Sequence, residues 1–360
     1  MGFTAAKSDT FLFIKITQTF TLLVLVYVDD IIVTGSSKSE VVSLVTKLNS
    51  MFKLNDLGPL HYFLGIEVSN TTDGGLVLSQ AKYIRDLLHR VKMTDSKSQP
   101  TPMVSGLKLQ ANGSAAVTDP TFYRSIVGGL QYITITRPEL SFSINRVCQF
   151  MHNPQEHHWK TVKRILRYLQ GTIHYGLHLK KSSQLNLTAY SDSDWGSDLD
   201  DRKSTTGFCV YLGQNLVSWC SRKQQAISRS STEAEYRGIA AVTAELVWLK
   251  SLLSELHISV PVPKTYCDNL GAVLLAANPI LHSRTKHFEL DLYFVRDKVM
   301  KGEIQVIHLP ARFQVADILT KSLSSFQFEE FRHKLMVTSK DNMSLRGDVK
   351  DNRKRLKSVS

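Results

Sequence analysis

Two sets of acidic residues stand where simple solvation does not account for them. The first is Asp29–Asp30 in LLVLVYVDDIIVTG (22–35), two adjacent carboxylates between apolar runs. Leu22–Val28 and Ile31–Val33 carry the Leu, Val, Ile and Tyr content of strands. The pattern therefore predicts a hairpin with both acids at its bend. Crowded carboxylates stay ionised when a cation neutralises them, and magnesium takes one or two carboxylates together with substrate phosphates. A solvated Asp-Asp turn fits the same residues. The second set is Asp192, Glu235, Asp268 and Asp317, none four residues from another. Only a fold can gather them, and four converging carboxylates cannot all stay ionised without cations. Two divalent ions ~3.5–4 Å apart satisfy such a set, activate water and stabilise the leaving oxygen of a phosphodiester. Two neighbours compete for the same role. Asp194 shares a strand face with Asp192, so periodicity does not choose between them. Glu233 has capping-box spacing from Ser230, which leaves Glu235 free for a metal.

The elements that must position these groups follow from periodicity. Residues 1–35 read as two or three strands ending in the acid hairpin, and 37–53 as a helix. HYFLGIEV (61–68) and GLVLSQ (75–80) read as strands joined by TTDGG, and YIRDLLHRVKM (83–93) as a short helix. The stretch 96–120, rich in Ser, Pro, Gly and Asn, is an extended connection. In HHWKTVKRILRYLQG (157–171), Trp159, Val162, Ile165, Leu166 and Leu169 share one face, and Lys160, Lys163, Arg164 and Arg167 the other. That basic row is either a solvated surface or a phosphate-tracking face. From 185 the pattern runs β-β-β-α-β-α-α-β-α: strands at 185–195, 207–221, 264–268 and 303–309, a long helix at 230–257, and helices after 268, over 283–302 and starting at 315–323. Asp192 falls on the first strand, Glu235 in the first turns of the long helix, Asp268 at the end of the fourth strand, and Asp317 at the opening of the last helix. Three hairpin-linked strands followed by helix-separated ones predict a mixed sheet with helices packed on it.

The chain has 360 residues, enough for about two domains. Its 44 Lys and Arg against 32 Asp and Glu leave a net charge of +12, which favours a polyanion, most often nucleic acid. No membrane span is expected: the uninterrupted apolar run is seven residues, and a span needs ~20. Nor does the N-terminus look like a signal peptide. Cys148, Cys209, Cys220 and Cys267 have no zinc-finger or CxxC spacing and read as reduced thiols of an intracellular protein. Lys340 to Ser360 carries seven Lys or Arg and three acids, with few large apolar residues, and reads as a disordered tail.

These motifs also resemble a known family. YVDDIIVTG looks like the metal-binding hairpin of a reverse transcriptase palm. DLGPLHYFLGIEV, TPM, YRSIVGGLQYITITRPEL and HHWKTVKRILRYLQGT resemble the stretch between polymerase and ribonuclease H in copia-type retrotransposon polyproteins. SDSDWGSDLDDRKSTTGFCVYLG, SWCSRKQQAISRSSTEAEYRGIAA, YCDNLGA, SRTKHFELD and VADILTKSL are similar to that family's ribonuclease H domain. The likeness runs from about residue 2 to 336, with its motifs in family order. It implies an α/β (α+β) chain: a partial palm over 1–95, a linker and helical thumb or connection over 96–182, a ribonuclease H-like mixed sheet flanked by helices over 183–338, and the basic tail over 339–360. It further implies that Asp29 and Asp30 are palm metal ligands. Asp192, Glu235, Asp268 and Asp317 become the ligands of two Mg2+ or Mn2+ ions. The implied substrate is an RNA–DNA hybrid, held by backbone shape and 2′-hydroxyl contacts. The family places such proteins in cytoplasmic particles or the nucleus.

The departures from the family set limits on that reading. The likeness starts just upstream of the hairpin, so a third palm carboxylate and the fingers are not in this sequence. No DNA synthesis by this chain alone is therefore expected, and the N-terminal part of a reverse transcriptase is an implied partner. Gly238 stands where relatives more often carry Ala, and Tyr293 where many carry His. Many ribonucleases H carry a His about ten residues before the last Asp; position 307 here is Ile, with His308 beside it. The competing reading is an inert, transposon-derived relic that holds nucleic acid by charge. A transposase-type nuclease on the same general fold finds little support around Glu235 and Asp317.

Overall fold

The computed structural model describes residues 2–28, 30–52, 54–278 and 288–339. Asp29, positions 283–287 of the helix expected over 283–302, and the tail from Lys340 to Ser360 lie outside the described residues. The chain divides into two units, one comprising Met1–Leu64 with Ala244–Val260, the other Gly65–Thr243 with Pro261–Ser360.

In the first unit, β1 (Thr4–Ala5), β2 (Leu12–Ile16), β3 (Thr21–Tyr27) and β4 (Asp30–Gly35) form an antiparallel sheet in chain order, followed by α1 (Lys38–Phe52) and β5 (Tyr62–Phe63). Alternation along β3 buries Leu22 and Val24 against Leu44 of α1, with Phe13, Phe20 and Val33 around them. Tyr27 pairs with Asp30, so the hairpin bends where the acid pair predicts. Val28 enters the bend at φ +50°, a conformation that β-branched residues seldom adopt. HYFLGIEV, expected as one strand, breaks at Leu64 and Gly65, both with positive φ.

The second unit opens with the hairpin β6 (Ile66–Asn70) and β7 (Leu76–Ser79), then α2 (Ala81–Arg90). The connection expected over 96–120 contains no helix or strand until α3 (Pro120–Ile133), where Asp119 accepts the Phe122 N–H as N-cap and Pro120 takes the first helical position. Helices α4 (Ser141–Cys148) and α5 (Glu156–Gln170) follow, and then β8 (Tyr175–Leu179). Alpha-helical spacing buries Val162, Ile165, Leu166 and Leu169 of α5. Between α3 and α4, Arg137 and Glu139 form a fully buried ion pair at 2.7 Å, and Arg137 also donates to the Thr172 carbonyl at 2.9 Å.

Next come β9 (Leu187–Asp194), β10 (Thr205–Leu212), β11 (Asn215–Lys223), α6 (Ser231–Glu255), β12 (Lys264–Cys267), α7 (Leu270–Ala277), α8 (Glu289–Met300), β13 (Gln305–His308), α9 (Ser325–Lys334) and β14 (Val337–Ser339). The boundary between the units falls inside α6. Five strands form one sheet in the order β11-β10-β9-β12-β13. The first three pair antiparallel as successive hairpins, β9 to β10 through a loop and β10 to β11 through a tight turn. β9, β12 and β13 pair parallel, because helical crossovers join them. This is the mixed sheet with helices packed on it that the element order predicts. β14 returns to pair with β8, which pairs with β7. An apolar core of α2 to α5 residues continues into Ile318, Leu319, Phe328 and Phe331. No helix among the described residues is long and apolar enough to cross a membrane.

One expectation is corrected. VADILTKSL does not start the last helix: Val315–Leu319 is a 3-10 turn, and α9 begins at Ser325 with Ser324 as its N-cap. The reason lies at Thr320, which leaves the helical path at φ −126°. Its hydroxyl bonds the Asp192 carboxylate and the Asp317 carbonyl. A tertiary contact thus replaces the next helical turn.

Candidate active site

The sheet brings the second set of acids together from four elements. Asp192 lies near the end of β9. Tyr190 pairs with Tyr266 of parallel β12, and the same register two places on sets Asp268 beside Asp192. Across the antiparallel neighbour, Asp192 pairs with Gly207. A Cβ at position 207 would stand 2.6 Å from Thr320 Cγ2 and 2.8 Å from Leu319 Cβ. Only glycine lets the 3-10 turn close on the strand there, and that closure delivers Asp317. Glu235 comes from the second turn of α6, where the Ser193 N–H donates to its carboxylate. Donor atoms of Asp192, Asp268 and Asp317 lie within 4.8 Å of one another, and those of Glu235, Cys267 and Asp268 do likewise. The two groups meet at Asp268.

The acids are largely withdrawn from water: Asp192 is 1%, Glu235 6% and Asp317 8% exposed. Burial, then the charges of Asp192 and Asp268, pushes Glu235 up to about 9. Burial, then Asp192, pushes Asp317 up to about 7 against the pull of Lys321. Asp268 is raised by burial and by Asp192. These are carboxylates short of positive charge. Lys321 supplies one cation, its Nζ 2.9 Å from Asp317 Oδ1 and 3.2 Å from Asp192 Oδ1. Burial opposes its charge, but Asp192 and Asp317 more than offset this and raise its pKa. Thr320 donates to Asp192 Oδ2, and Gln314 Nε2 donates to the Ser191 carbonyl at 2.9 Å, which secures the turn to the strand.

The rivals go elsewhere. The Asp194 carboxylate accepts the Thr205 N–H and the Ser197 hydroxyl and braces the loop after β9. Burial pushes it up to about 6. Glu233 accepts the Arg229 N–H at 2.8 Å and pairs with Arg237 at 2.9 Å, while Ser230 Oγ takes the Glu233 N–H at 3.2 Å. His308 lies in β13, exposed, with Nε2 3.2 Å from the Asp268 carbonyl oxygen. Tyr293 is exposed on α8. Gly238 lets α6 lie close to β9: a Cβ there would stand 2.8 Å from Ser191 Oγ. In the first unit, Asp30 is the described member of the hairpin pair and is partly buried. On α5, Lys160, Lys163 and Arg167 line a shallow groove with Glu156 and His157. Arg164, grouped with them by spacing, instead turns inward and donates to Thr101 Oγ1 at 2.9 Å.

Sequence spacing missed Thr320, Lys321 and Cys267. Lys321 is four residues after Asp317, the spacing of a helical ion pair, and that signal points to it. Cys267 donates to Glu235 Oε2 at 3.6 Å; its place beside Asp268 was the available hint. The donor set fits a hard divalent cation, since it is carboxylate oxygen and carries more negative charge than Lys321 offsets. Oxygens on one magnesium, each at ~2.0–2.1 Å, lie no more than about 4.2 Å apart. The oxygens of Asp192, Asp268 and Asp317, within 4.8 Å of one another, stand close to the spacing that one ion allows.

Known proteins share this sequence pattern. Residues 1–105 match the family described as reverse transcriptase (RNA-dependent DNA polymerase). Over 339 residues the chain is 47% identical to the Retrovirus-related Pol polyprotein from transposon RE1 of Arabidopsis thaliana, covering 94% of this chain and 23% of the relative. It is 31% identical over 238 residues to a putative transposon Ty5-1 protein of Saccharomyces cerevisiae, covering 66% of this chain and 77% of that one. The chain thus spans about a quarter of the length of the Arabidopsis Pol polyprotein. Among solved structures, the N-terminal RNase H domain of rv2228c from Mycobacterium tuberculosis overlaps 42% of this chain and 98% of its own at 14% identity and a TM-score of 0.29, a likeness too weak to bear on chemistry.

Proposed function

The chain belongs to the family of copia-type retrotransposon Pol polyproteins, and on that premise we propose that residues 183–338 are a metal-dependent endonuclease that cuts the RNA strand of RNA–DNA hybrids. Residues 1–95 then correspond to palm, with Asp29 and Asp30 as its metal ligands, and 96–182 to the connection. The observation that carries the reading is the convergence of Asp192, Asp268 and Asp317 within 4.8 Å, with Glu235 joined through Asp268. Asp192, Glu235, Asp268 and Asp317 are the metal ligands in this reading, and the ions are Mg2+ or Mn2+.

Asp192, Glu235, Asp268 and Asp317 would hold the divalent cations, which would supply an activated water and neutralise the leaving oxygen. The chain's own groups do the rest. Asp192 is held by Thr320 at Oδ2 and by Lys321 at Oδ1, which fixes the orientation of its carboxylate. Gln314 and Thr320 secure the 3-10 turn that carries Asp317 to β9. Glu235, raised by burial and by the charges of Asp192 and Asp268, favours its protonated form in the metal-free chain, and a divalent cation held there would favour its carboxylate. Lys160, Lys163 and Arg167 form a cationic row that suits the phosphates of a bound duplex.

The test is cleavage of a hybrid labelled on its RNA strand, with magnesium or manganese, by the wild type, Asp192→Asn and Asp268→Asn. Metal-dependent cutting that both substitutions abolish is expected. Hybrid binding without cutting by the wild type would overturn the endonuclease and leave a basic nucleic-acid-binding relic.

A further inference from the structure

Two loops rise beside the acid cluster, and they hold one aromatic ring rigidly in the open. Trp195 directly follows β9 and is 54% exposed. Its Nε1–H donates to the Ser228 carbonyl at 2.9 Å. Ser228 is buried, and its hydroxyl donates to Gln224 Oε1 at 2.9 Å. Gln224 Nε2 in turn donates to Thr206 Oγ1 at 2.9 Å and to the Ala234 carbonyl at 3.0 Å. Ala234 immediately precedes Glu235. On the other side of the ring, Asp194 takes the Thr205 N–H and the Ser197 hydroxyl, and Gly196, at φ +58°, donates its N–H to Ser204 Oγ at 3.0 Å. The ring is therefore braced by the same elements that carry Asp192 and Glu235. At ~3.3 Å per extended residue, the backbone of Trp195 lies no more than about 10 Å from that of Asp192. Ile227, Arg229 and Arg202 are exposed on the same two loops.

The chemistry of this surface narrows its occupant. The indole's one polar atom is already satisfied, so its open part offers only an apolar plate. Such a plate reads no hydrogen-bond code. It can pack on a sugar, and the wide, shallow minor groove of an A-form-like duplex presents sugars at its surface. Exposed arginines beside it suit the neighbouring phosphates, in a chain of net charge +12. We propose that Trp195 is a substrate-positioning residue: it packs on a sugar of the hybrid, without regard to sequence, and sets which phosphodiester meets the acids. The inference rests on the hybrid-cutting reading given above.

The experiment uses the full chain with a fluorescent RNA–DNA hybrid in EDTA, so that binding is read without cutting. Trp195→Ala is expected to weaken binding about tenfold, within the range of ring contacts to nucleic acid, and Trp195→Phe to keep most of the affinity. Hybrids of scrambled sequence should lose equally. In magnesium, the loss for Trp195→Ala falls on KM more than on kcat, and the cut positions shift. Fluorescence of the wild type but not of Trp195→Phe should be quenched at this ring when hybrid is added, a readout that does not depend on the alanine variant folding. Unchanged affinity of Trp195→Ala, identical quenching in both proteins, or a loss confined to one base sequence each overturns the role of Trp195. A wild type that binds no hybrid overturns the hybrid-cutting reading itself, and this inference with it.

Discussion

Lys321 Nζ stands 3.2 Å from Asp192 Oδ1, although 129 positions of sequence separate the two residues. The contact places an ammonium where a buried carboxylate cluster most needs positive charge. It also ties the 3-10 turn to the central strand of the sheet.

Removing that ammonium should unbalance the cluster. Lys321→Met is expected to destabilise the metal-free protein by about 1–3 kcal/mol, less than the 3–5 kcal/mol of a fully buried pair because the lysine is partly exposed. Magnesium should then stabilise the variant more than the wild type. Urea unfolding in EDTA and in magnesium checks both statements.

Thr320 makes a charge-assisted hydrogen bond to a carboxylate that is 1% exposed. Thr320→Val keeps the shape and deletes the donor. It should cost about 1.5–3 kcal/mol in the absence of metal. Hybrid cleavage should fall by roughly tenfold, a 1.4 kcal/mol effect, as Asp192 loses its fixed orientation. Denaturant unfolding and initial rates, measured on one preparation, decide it.

Glu235 gives the pH dependence its sign. In the folded, metal-free chain its pKa is raised from 4.5 to about 9, so the folded state holds this proton more tightly than the unfolded chain does. The resulting stability is complete below about pH 4.5 and is lost as pH climbs through about 9. In EDTA, the wild type should therefore weaken between pH 5 and pH 9 more steeply than Glu235→Gln, and magnesium should remove the difference. Parallel slopes for the two proteins would contradict this.

The basic residues of α5 divide into two roles. Charge reversal at Lys160, Lys163 and Arg167 should weaken hybrid binding for all sequences and reduce the salt slope by about one for each phosphate left without its cation. Arg164→Ala should leave that slope unchanged and lower stability instead, since Arg164 donates to Thr101. Binding anisotropy across a salt series separates the two.

Much of the sheet was legible from local pattern. The β-β-β-α-β order, the α5 face and the hairpin at Tyr27 and Asp30 all follow from spacings of two or of three and four residues. Asp192, Glu235 and Asp268 stood out as acids on or beside periodic elements, but periodicity did not choose Asp192 over Asp194, and it was the resemblance to the family that favoured Asp192. Asp317 was legible as an acid, but its setting was not. Val315–Leu319 has helical spacing, and only the Thr320 contact with Asp192 breaks it. Arg164 shares the spacing of its basic neighbours, and nothing local encodes the Thr101 hydroxyl that draws it inward. Lys321 has helical ion-pair spacing from Asp317, but its second partner, Asp192, lies in another part of the chain, where no local pattern points to it.

The separation of Asp192 from Lys321 has a meaning in time. A ribosome adds about 5–20 residues per second, so the 129 residues between them take roughly 6–26 s to make. During that interval Asp192, Glu235 and Asp268 emerge one by one with no lysine to meet them. Parallel pairing of β9 with β12 brings Asp192 beside Asp268, and Asp317 and Lys321 can join them only once the last segment has been made. The acid centre therefore cannot be complete, with its one lysine in place, before position 321 has been synthesised.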